Sequence, residues 1–368
     1  MVSESRLARI RSRSEGEQVR AVLLAAGDDV LYALGGYTPM ADERVCFLLV
    51  GDRGSAMVVP GVNAHEVHEL LDGGPVSVYD FQDADGADRA LEKAWETSVG
   101  SSRGGSVLVS DAARHDHVRA IQRVLRPDAV GLASRVMRPL RMVKDAEEVA
   151  RLQRASDAAD ETFRRGVAAI RRGITERELY DVMLDSFRSL GSDGLSFQGV
   201  AFGPNTAAPH HHPNETPVTE GPLWFDIGCR IQGYCSDLTR PVYVGRPDPD
   251  FIRIHQIVWE ARKAGEEAAV AGNPASAVDR AARKVIQDAG YGEQFVHRTG
   301  HGIGVSVHEP PFMMEGDETI LEPGMSFSIE PGIYLPGRFG VRIEDIAVVT
   351  EGPARILSGL SRDPVVID

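Results

Sequence analysis

Up to residue 138 the chain alternates short apolar runs with longer segments whose apolar positions recur at helical spacing. The short runs, bounded by glycine, aspartate and proline, predict β-strands. The predicted strands are Ala21–Ala25, Val30–Leu34, Cys46–Val50, Ala56–Pro60 and Ser106–Ser110, and the predicted helices are Ala87–Ser98 and Asp116–Val124. No glycine-rich fingerprint follows a strand at the spacing that begins a nucleotide-binding helix. We therefore expect residues 1–138 to form an α/β domain without a dinucleotide site.

From residue 139 onward the pattern is typical of long helices. Asp145 is followed three residues later by Glu148, and Thr175 is followed by Glu178 at the same spacing. Each pair predicts a capping box, in which the side chains and backbone of two residues satisfy each other's hydrogen bonds at the start of a helix. These signals predict two consecutive helices, the second of which ends at Leu190.

The same order of elements occurs a second time. A helix from about Asp250 and another from Ser276 to Ala289 repeat the pair, and strand-rich sequence follows both pairs. The glycines that end the two helices are 18 residues apart in each pair, at positions 173 and 191 and at positions 272 and 290. Residues 139–368 are therefore predicted to contain two helix–helix–strand halves with approximate twofold symmetry, with a chance similarity of two helical hairpins as the alternative.

Two pairs of acidic residues lie in the strand-rich parts of these halves. A hairpin that turns at residues 231–233 would place Asp226 opposite Asp237, and one that turns at Gly337 would place Glu330 opposite Glu344. Like charges that face each other destabilise a sheet, and a shared cation would neutralise them. Either pair alone could consist of exposed and turn residues, but one pair in each half indicates a common site.

His301 lies in a segment with a glycine at every second position, Gly300-His301-Gly302-Ile303-Gly304, where other backbone can approach closely. Such a histidine is a candidate metal ligand, with an ordinary loop histidine as the alternative. Four carboxylates and one imidazole suit Mn²⁺, Co²⁺, Fe²⁺ or Zn²⁺. Two divalent ions would balance four negative charges, and a pair of ions can activate water and stabilise the oxyanion of amide hydrolysis.

Further histidines lie near these motifs. Three are consecutive at His210, His211 and His212, and His297 and His308 lie on either side of the glycine-rich segment. A histidine that is not a ligand can donate a hydrogen bond to a reacting carbonyl or exchange a proton with a leaving amine. For the consecutive histidines, a surface cluster is the alternative interpretation.

Composition limits the partners and the compartment. The chain has 368 residues, with 40 Lys and Arg against 54 Asp and Glu, which gives a net charge of −14. That balance argues against nucleic acid and anionic membranes as partners, because both require a basic face. Three cysteines are too few for a disulfide scaffold, and no apolar segment is long enough for a signal peptide or a membrane span. These observations predict a cytoplasmic protein.

The segments that carry these residues resemble the pita-bread metallopeptidases, a group that includes prolidase, Xaa-Pro aminopeptidase, methionine aminopeptidase and creatinase. The resemblance extends from residue 139 to the C-terminus, and the N-terminal part is more weakly similar to the creatinase/prolidase N-terminal domain. It implies an α+β fold, with a pita-bread catalytic domain at residues 139–368 preceded by a smaller α/β domain at residues 1–138. It also implies a homodimer.

The resemblance implies a role for each motif residue. The implied metal ligands are Asp226, Asp237, His301, Glu330 and Glu344. Asp237 and Glu344 would bridge two ions, and Glu330 would also accept a proton from the attacking water. The implied substrate-binding residues are His210, His297, His308 and Arg342. His308 would contact the substrate carbonyl, and His210 matches the pocket histidine of the family, although its two neighbours remain alternatives.

The resemblance implies an exopeptidase that holds two divalent ions, with Mn²⁺ expected first, and hydrolyses the Xaa-Pro bond of dipeptides or short peptides. The length of the chain disfavours methionine aminopeptidase, and the complete set of ligands disfavours a creatinase-like enzyme. A non-peptidase amide hydrolase or lyase on the same scaffold and a catalytically inactive binding protein are the competing interpretations.

Two details of specificity stay open at this stage. A cation that receives the C-terminal carboxylate of the substrate would distinguish a dipeptidase from an aminopeptidase, and the candidates are Arg298, Arg338 and Arg342. Arg342 could instead orient the metal-binding carboxylates. Phe202, His210 and Tyr334 are candidate walls for an apolar slot that holds the pyrrolidine ring of proline.

Overall fold

The computed structural model describes residues 4–41 and 43–368, and it divides into two compact units at Arg141 and Met142. The domain boundary expected between residues 138 and 139 falls inside a helix, Ser134–Met142, which accommodates Pro139. The division of the structure follows at the end of this helix.

The first unit is built on a mixed β-sheet. Its helices are α1 (Glu4–Gly16), α2 (Asp28–Leu34), α3 (Gly61–Leu71), α4 (Asp88–Ser98), α5 (His115–Leu125) and α6 (Ser134–Met142). Its strands are β1 (Ala21–Ala25), β2 (Phe47–Gly51), β3 (Ser55–Pro60), β4 (Val76–Phe81), β5 (Ser106–Val109) and β6 (Ala129–Leu132), in the sheet order β4–β3–β2–β1–β5–β6. Strand β2 is antiparallel to both of its neighbours, and the outer pairs are parallel.

One predicted strand of this unit is wrong. Residues Val30–Leu34 form the end of helix α2, and all five are buried. A helix that is apolar on every side shows no helical periodicity, so a short one resembles a buried strand. Two acidic residues in its first turn and Gly35 at its end, with φ of 81°, stabilise the helix. The other predicted strands and helices of this unit are confirmed to within one residue at each end.

The second unit contains two pairs of long helices and the sheets that follow them. Its helices are α7 (Ala146–Ala169), α8 (Glu176–Ser189), α9 (Pro249–Ala268) and α10 (Ala275–Asp288), with 3₁₀ turns at Gly203–Ala207 and Gly292–Gln294. Its strands are β7 (Gly194–Phe202), β8 (Gly221–Ile231), β9 (Tyr234–Cys235), β10 (Leu238–Val244), β11 (Gly300–Gly302), β12 (Glu309–Met313), β13 (Ser326–Ile329), β14 (Gly332–Leu335), β15 (Phe339–Arg342), β16 (Asp345–Val348), β17 (Arg355–Ile356) and β18 (Val365–Ile367).

The two predicted halves are confirmed. Helices α7 and α8 precede a sheet with the order β18–β10–β8–β7, and helices α9 and α10 precede a sheet with the order β12–β11–β13–β16–β17. Both predicted capping boxes form, at Asp145 with Glu148 and at Thr175 with Glu178. The four glycines at positions 173, 191, 272 and 290 have φ between 77° and 90°, a conformation that ends helices and favours glycine.

The register of the first acidic hairpin differs from the prediction. Asp226 on β8 is paired with Thr239 on β10 rather than with Asp237. The turn consists of Gln232 and Gly233, both with positive φ, so the pairing is centred midway between these two residues. Asp226 would face Asp237 only if the turn were centred one residue earlier, and this difference moves the partner of Asp226 two residues along β10. Asp237 lies in the break between β9 and β10, and its carboxylate still lies within 4.8 Å of that of Asp226.

The second acidic hairpin has the predicted register. In the β14–β15 ladder Gly332 is paired with Arg342, and in the β13–β16 ladder Ile329 is paired with Asp345. Both pairings are centred on Gly337, so Glu330 and Glu344 lie opposite each other between the two ladders.

In the described residues no helix is both long and apolar enough to cross a membrane.

Candidate active site

A cleft of about 410 Å³ lies in the second unit, and all nine predicted site residues line it. Strand β8 carries Asp226, strand β11 carries His301, and Glu330 and Glu344 follow strands β13 and β15. Phe197, Pro209 and Arg298 complete the lining. Residues from both helix–helix–strand halves thus meet in one place, as the repeat predicts.

The predicted ligand atoms form overlapping groups within 4.8 Å of one another. One group contains Asp226, Asp237 and Glu344, and another contains His301, Glu330 and Glu344. Glu344 belongs to both groups, which is the geometry of a carboxylate shared by two ions. A third group joins Asp237, His301 and His308.

Close packing of backbone holds His301 in position. A Cβ atom on Gly300 would lie 1.8 Å from the Ser328 carbonyl oxygen, and one on Gly302 would lie 2.3 Å from that of Pro310. Glycine is therefore required on both sides of the histidine. The Ser328 hydroxyl accepts a hydrogen bond from the His301 N–H at 3.0 Å and donates one to Glu330 Oε1 at 3.0 Å.

The carboxylates of the cleft are buried and close together. Burial, together with the facing carboxylates of Asp226 and Glu330, raises the pKa of Asp237 well above its usual range. Burial and the same kind of repulsion raise the pKa of Glu344. Burial also raises the pKa of Glu330 to about 7, although the Arg342 guanidinium opposes that shift. Without a cation this cluster disfavours its own ionised state.

The imidazole of His301 is neutral and turned toward the carboxylates. Burial lowers its pKa to about 3, and neighbouring His308 adds to the effect. Nδ1 is 3.1 Å from the Gly302 carbonyl oxygen, so Nδ1 carries the proton and donates to it. Nε2 therefore has a free lone pair, 3.3 Å from Glu330 Oε1 and 3.8 Å from Asp237 Oδ2. A lone pair among carboxylate oxygens is suited to a metal ion.

Arg342 and Thr239 connect the two acidic pairs. The Thr239 hydroxyl is 2.7 Å from Asp226 Oδ1 and 2.7 Å from Glu344 Oε2, and it accepts a hydrogen bond from Arg342 Nε at 3.0 Å. Arg342 also donates to Asp226, to the Tyr334 hydroxyl and to the Pro209 carbonyl. Of its two predicted roles, these contacts favour orientation of the carboxylates.

His297 lines the cleft, but both of its ring nitrogens are engaged within the protein. Nδ1 lies 2.7 Å from the Arg298 carbonyl oxygen and therefore donates to it, which leaves Nε2 as the acceptor for the Tyr334 hydroxyl at 2.9 Å. Burial lowers the pKa of His297 to about 4, with Arg342 adding to the shift, so the ring is neutral. In this arrangement neither ring nitrogen of His297 is left to bind a ligand in the cleft.

The side chains of the three consecutive histidines have different surroundings. His210 lines the cleft beside Phe197, with ring centroids 6.5 Å apart. His211 points to the buried carboxylate of Glu176 at 2.7 Å, and His212 is exposed. Glu176 also accepts hydrogen bonds from the backbone N–H groups of residues 202 and 214 and from the Asn205 amide. It thereby fixes the loop that carries His210.

Several functional contacts have little sequence signal. Phe202 was a candidate wall of the slot, but it packs in the hydrophobic core, and Phe197 lies in the cleft instead. A register shift between Leu195 and Phe197 changes which side chains of strand β7 point to the cleft. The alternation of apolar and polar residues along the sequence does not reveal such a shift. Ser328 could have been found, since it lies two residues before Glu330 at strand spacing. Nothing in the sequence marks Glu176.

The residues of the cleft fit divalent metal ions. Glu344 Oε1 is buried and has no hydrogen-bond partner among the described residues, although such an atom normally has one. Four carboxylates share the cleft with two guanidinium groups, those of Arg298 and Arg342, so the ionised cluster has an excess of negative charge. Oxygen donors with one imidazole nitrogen are a ligand set for Mn²⁺, Fe²⁺, Co²⁺ or Zn²⁺ rather than for a soft ion.

Comparisons with known proteins agree with this geometry. Residues 150–351 match the model of metallopeptidase family M24. A probable dipeptidase PepE from Mycobacterium tuberculosis is 33% identical over 98% of this chain and 96% of its own length. An Xaa-Pro dipeptidase from Lactobacillus delbrueckii subsp. lactis is 42% identical over 58% of each chain.

A solved structure confirms the predicted fold class. The crystal structure of a recombinant prolidase from Thermococcus sibiricus superposes with a TM-score of 0.91, at 32% identity, and the match covers all of both chains. The match to the family model covers more than half of the chain, and the structural match includes the two halves that form the cleft. This chain belongs to metallopeptidase family M24.

Proposed function

We propose that this protein is an exopeptidase that hydrolyses the Xaa-Pro bond of dipeptides or short peptides and releases the N-terminal residue. The observation that carries the proposal is the convergence of four carboxylates and one neutral imidazole from both halves in a single cleft. The similarity to a prolidase and to an Xaa-Pro dipeptidase supports the substrate class.

We propose Asp226, Asp237, His301, Glu330 and Glu344 as the ligands of two divalent ions. When bound, such ions would activate the attacking water and polarise the scissile carbonyl. Glu330, which lines the cleft 3.3 Å from His301 Nε2, is proposed also to accept a proton from that water.

The histidines of the cleft are proposed to act on the substrate. Burial and nearby Arg298 lower the pKa of His308, so its neutral ring can donate a hydrogen bond to the scissile carbonyl. His210 lies on the same cleft and is proposed to contact the carbonyl or the leaving amine. Phe197, which lies beside His210 in the same cleft, supplies an apolar wall of the kind that a pyrrolidine ring requires.

Three further features belong to the same proposal. Mn²⁺ is the proposed native ion, because the donors are mainly carboxylate oxygens. A cytoplasmic location is supported by three buried cysteines that form no disulfide. A homodimer is proposed from the resemblance to two-domain members of the family.

Metal removal and restoration test this function. Protein stripped with a chelator and then supplied with Mn²⁺ is assayed with Ala-Pro and with Ala-Pro-Ala. Restored cleavage of the dipeptide alone identifies a dipeptidase, and preferential cleavage of the tripeptide identifies an aminopeptidase. If the protein binds Mn²⁺ but cleaves neither peptide, the proposal is wrong, and a non-peptide amide becomes the substrate to seek.

A further inference from the structure

A buried ion pair includes Glu309, the residue that follows His308 in the chain. Lys144 Nζ donates to Glu309 Oε1 at 2.8 Å, and the two side chains are only 1% and 5% exposed. Lys144 Nζ also donates to the Met142 carbonyl at 3.3 Å. A buried ion pair usually stabilises a fold no better than apolar side chains of similar volume, because both charges lose their hydration. Stability alone therefore does not account for a lysine and a glutamate at these positions.

The backbone that carries Lys144 is fixed on both sides. The N–H of Lys144 donates to the Gly324 carbonyl at 2.9 Å, and the preceding Val143 forms a β-bridge with Met325. The following residue, Asp145, is the N-cap of helix α7 and belongs to its capping box. The lysine side chain therefore extends from a rigid base.

The other partner, Glu309, lies at the end of an irregular loop. Residues 303–308 have no regular secondary structure, and strand β12 begins at Glu309. A Cβ atom on Gly304 would lie 2.5 Å from Glu309 Oε1 and 3.1 Å from Lys144 Cε. The loop thus packs directly against the ion pair, and this contact requires the third glycine of the segment around His301.

Backbone pairing fixes His308 less firmly than it fixes His301. Glu309 is paired with Gly302 on β11, but the register then shifts across the two prolines that follow, which have no N–H to donate. Among residues 4–41 and 43–368, the His308 ring has no hydrogen-bond partner, and its centroid lies 4.0 Å from that of the His301 ring. The direction of the His308 ring therefore depends on how the neighbouring backbone is anchored.

We propose that the Lys144–Glu309 pair positions His308 for its contact with the substrate carbonyl. The inference rests on the proposed peptidase function, in which His308 donates a hydrogen bond to that carbonyl. A displacement of about 1 Å in a reacting group can lower a rate about 100-fold. A charged hydrogen bond depends strongly on distance and angle, so it restrains the backbone at Glu309 more narrowly than an apolar contact would.

Replacement of the whole pair separates positioning from stability. Lys144→Met/Glu309→Met introduces linear apolar side chains and should leave the midpoint of urea unfolding close to that of the wild type. The kcat for the preferred peptide, Ala-Pro or Ala-Pro-Ala, should nonetheless fall by about 10- to 100-fold. Mn²⁺ affinity should stay within about 3-fold, since neither residue is a proposed ligand.

Two further variants support this comparison. Glu309→Gln keeps the size of the side chain and one acceptor oxygen, so it should give a smaller loss of kcat in the same direction and serves if the double variant does not fold. Lys284→Met, in an exposed ion pair with Asp288, is the matched control and should leave kcat unchanged.

A double-mutant cycle with His308 shows whether the pair acts through this ring. His308→Ala alone should lower kcat by about 100- to 1000-fold, the usual loss when one donor to a developing oxyanion is removed. In the His308→Ala protein, replacement of the pair should lower kcat by less than about 2-fold more, because the positioned group is already absent. An effect on the structure in general would instead multiply the two losses.

The environment of His308 is also measured without catalysis. Zn²⁺ is diamagnetic, so the ¹H–¹³C signals of labelled histidines can be recorded in Zn²⁺-loaded protein, and His308→Ala assigns the signal of interest. The double variant should shift or broaden the His308 signal. The signals of His65 and His115, which are exposed in the first unit, should not change.

Two kinetic results would overturn the proposal: a double variant with the kcat of the wild type, or losses that multiply in the cycle with His308. If the wild type cleaves no Xaa-Pro peptide, the proposed function is wrong and the NMR signal decides about the pair. An unchanged His308 signal in the double variant then refutes the positioning role, and a changed one leaves it standing.

Discussion

Replacement of Thr239 by Val is expected to weaken metal binding, although Thr239 is not itself a proposed ligand. Val has nearly the shape of Thr but lacks the hydroxyl. That hydroxyl is fully buried and contacts one carboxylate from each acidic pair, Asp226 and Glu344, while it accepts from Arg342. The substitution therefore removes the contact that orients both pairs relative to each other.

The magnitude follows from the number of hydrogen bonds. A hydroxyl has one proton, so Thr239 donates to one carboxylate at a time and accepts one bond from Arg342. A hydrogen bond to a charged group contributes about 1.5–3 kcal/mol, so the two bonds together contribute about 3–6 kcal/mol. Loss of a residue that orients ligands typically weakens metal binding about 10- to 100-fold, equal to about 1.4–2.7 kcal/mol. The part of the hydrogen-bond energy that does not appear in metal binding should appear as a lower free energy of unfolding of the metal-free protein.

The assay compares wild type, Thr239→Val and Thr239→Ser. Mn²⁺ affinity is measured by competition with a chromophoric chelator, and urea unfolding is measured in excess EDTA. Serine retains the hydroxyl and should bind Mn²⁺ within about 3-fold of the wild type, well inside the range for loss of an orienting residue. The reasoning would be refuted if Val bound Mn²⁺ as tightly as the wild type, or if Ser were as weak as Val.

The remaining predictions concern stability and the histidine loop. Asp345→Asn removes the carboxylate that pairs with the buried Arg240 and Arg262, of which, among the described residues, only Arg262 keeps a second carboxylate partner, Glu266, and it should lower the free energy of unfolding in urea by about 3–5 kcal/mol. Asp250→Asn, in an exposed ion pair, should cause no resolvable change. Glu176→Gln should lower kcat more than it changes Mn²⁺ affinity, because it loosens the loop of His210 but contacts no proposed ligand; equal loss of both would contradict this role. Burial lowers the pKa of His255 from 6.5 to about 4, so the unfolded state binds more protons in that interval. Stability that is complete above pH 6.5 should therefore fall by about 3 kcal/mol as pH decreases to 4, and His255→Gln, measured by denaturant unfolding at each pH, should remove that part of the slope.

The sequence by itself determined the features that depend on neighbouring residues. The capping boxes at residues 145 and 175 form as predicted, because a cap requires only residues that are three apart in the chain. The hairpin at Gly337 has the predicted register, since a short turn fixes the pairing of its own strands. The five residues proposed as ligands also come from short local motifs, four from the two acidic pairs and His301 from a glycine-rich segment.

Only the tertiary structure decided the features that depend on distant residues. Val30–Leu34 belongs to a helix whose residues are all buried from position 30 onward, and its local apolar content does not distinguish such a helix from a buried strand. His210 rather than His211 lines the cleft because Glu176, far away in the chain, binds His211. Arg298 keeps free donors, while Arg342 is fully engaged, because only the folded chain brings acceptors to one and not to the other. Local hydrogen bonds can be predicted from spacing, but the choice of partners across the fold depends on packing.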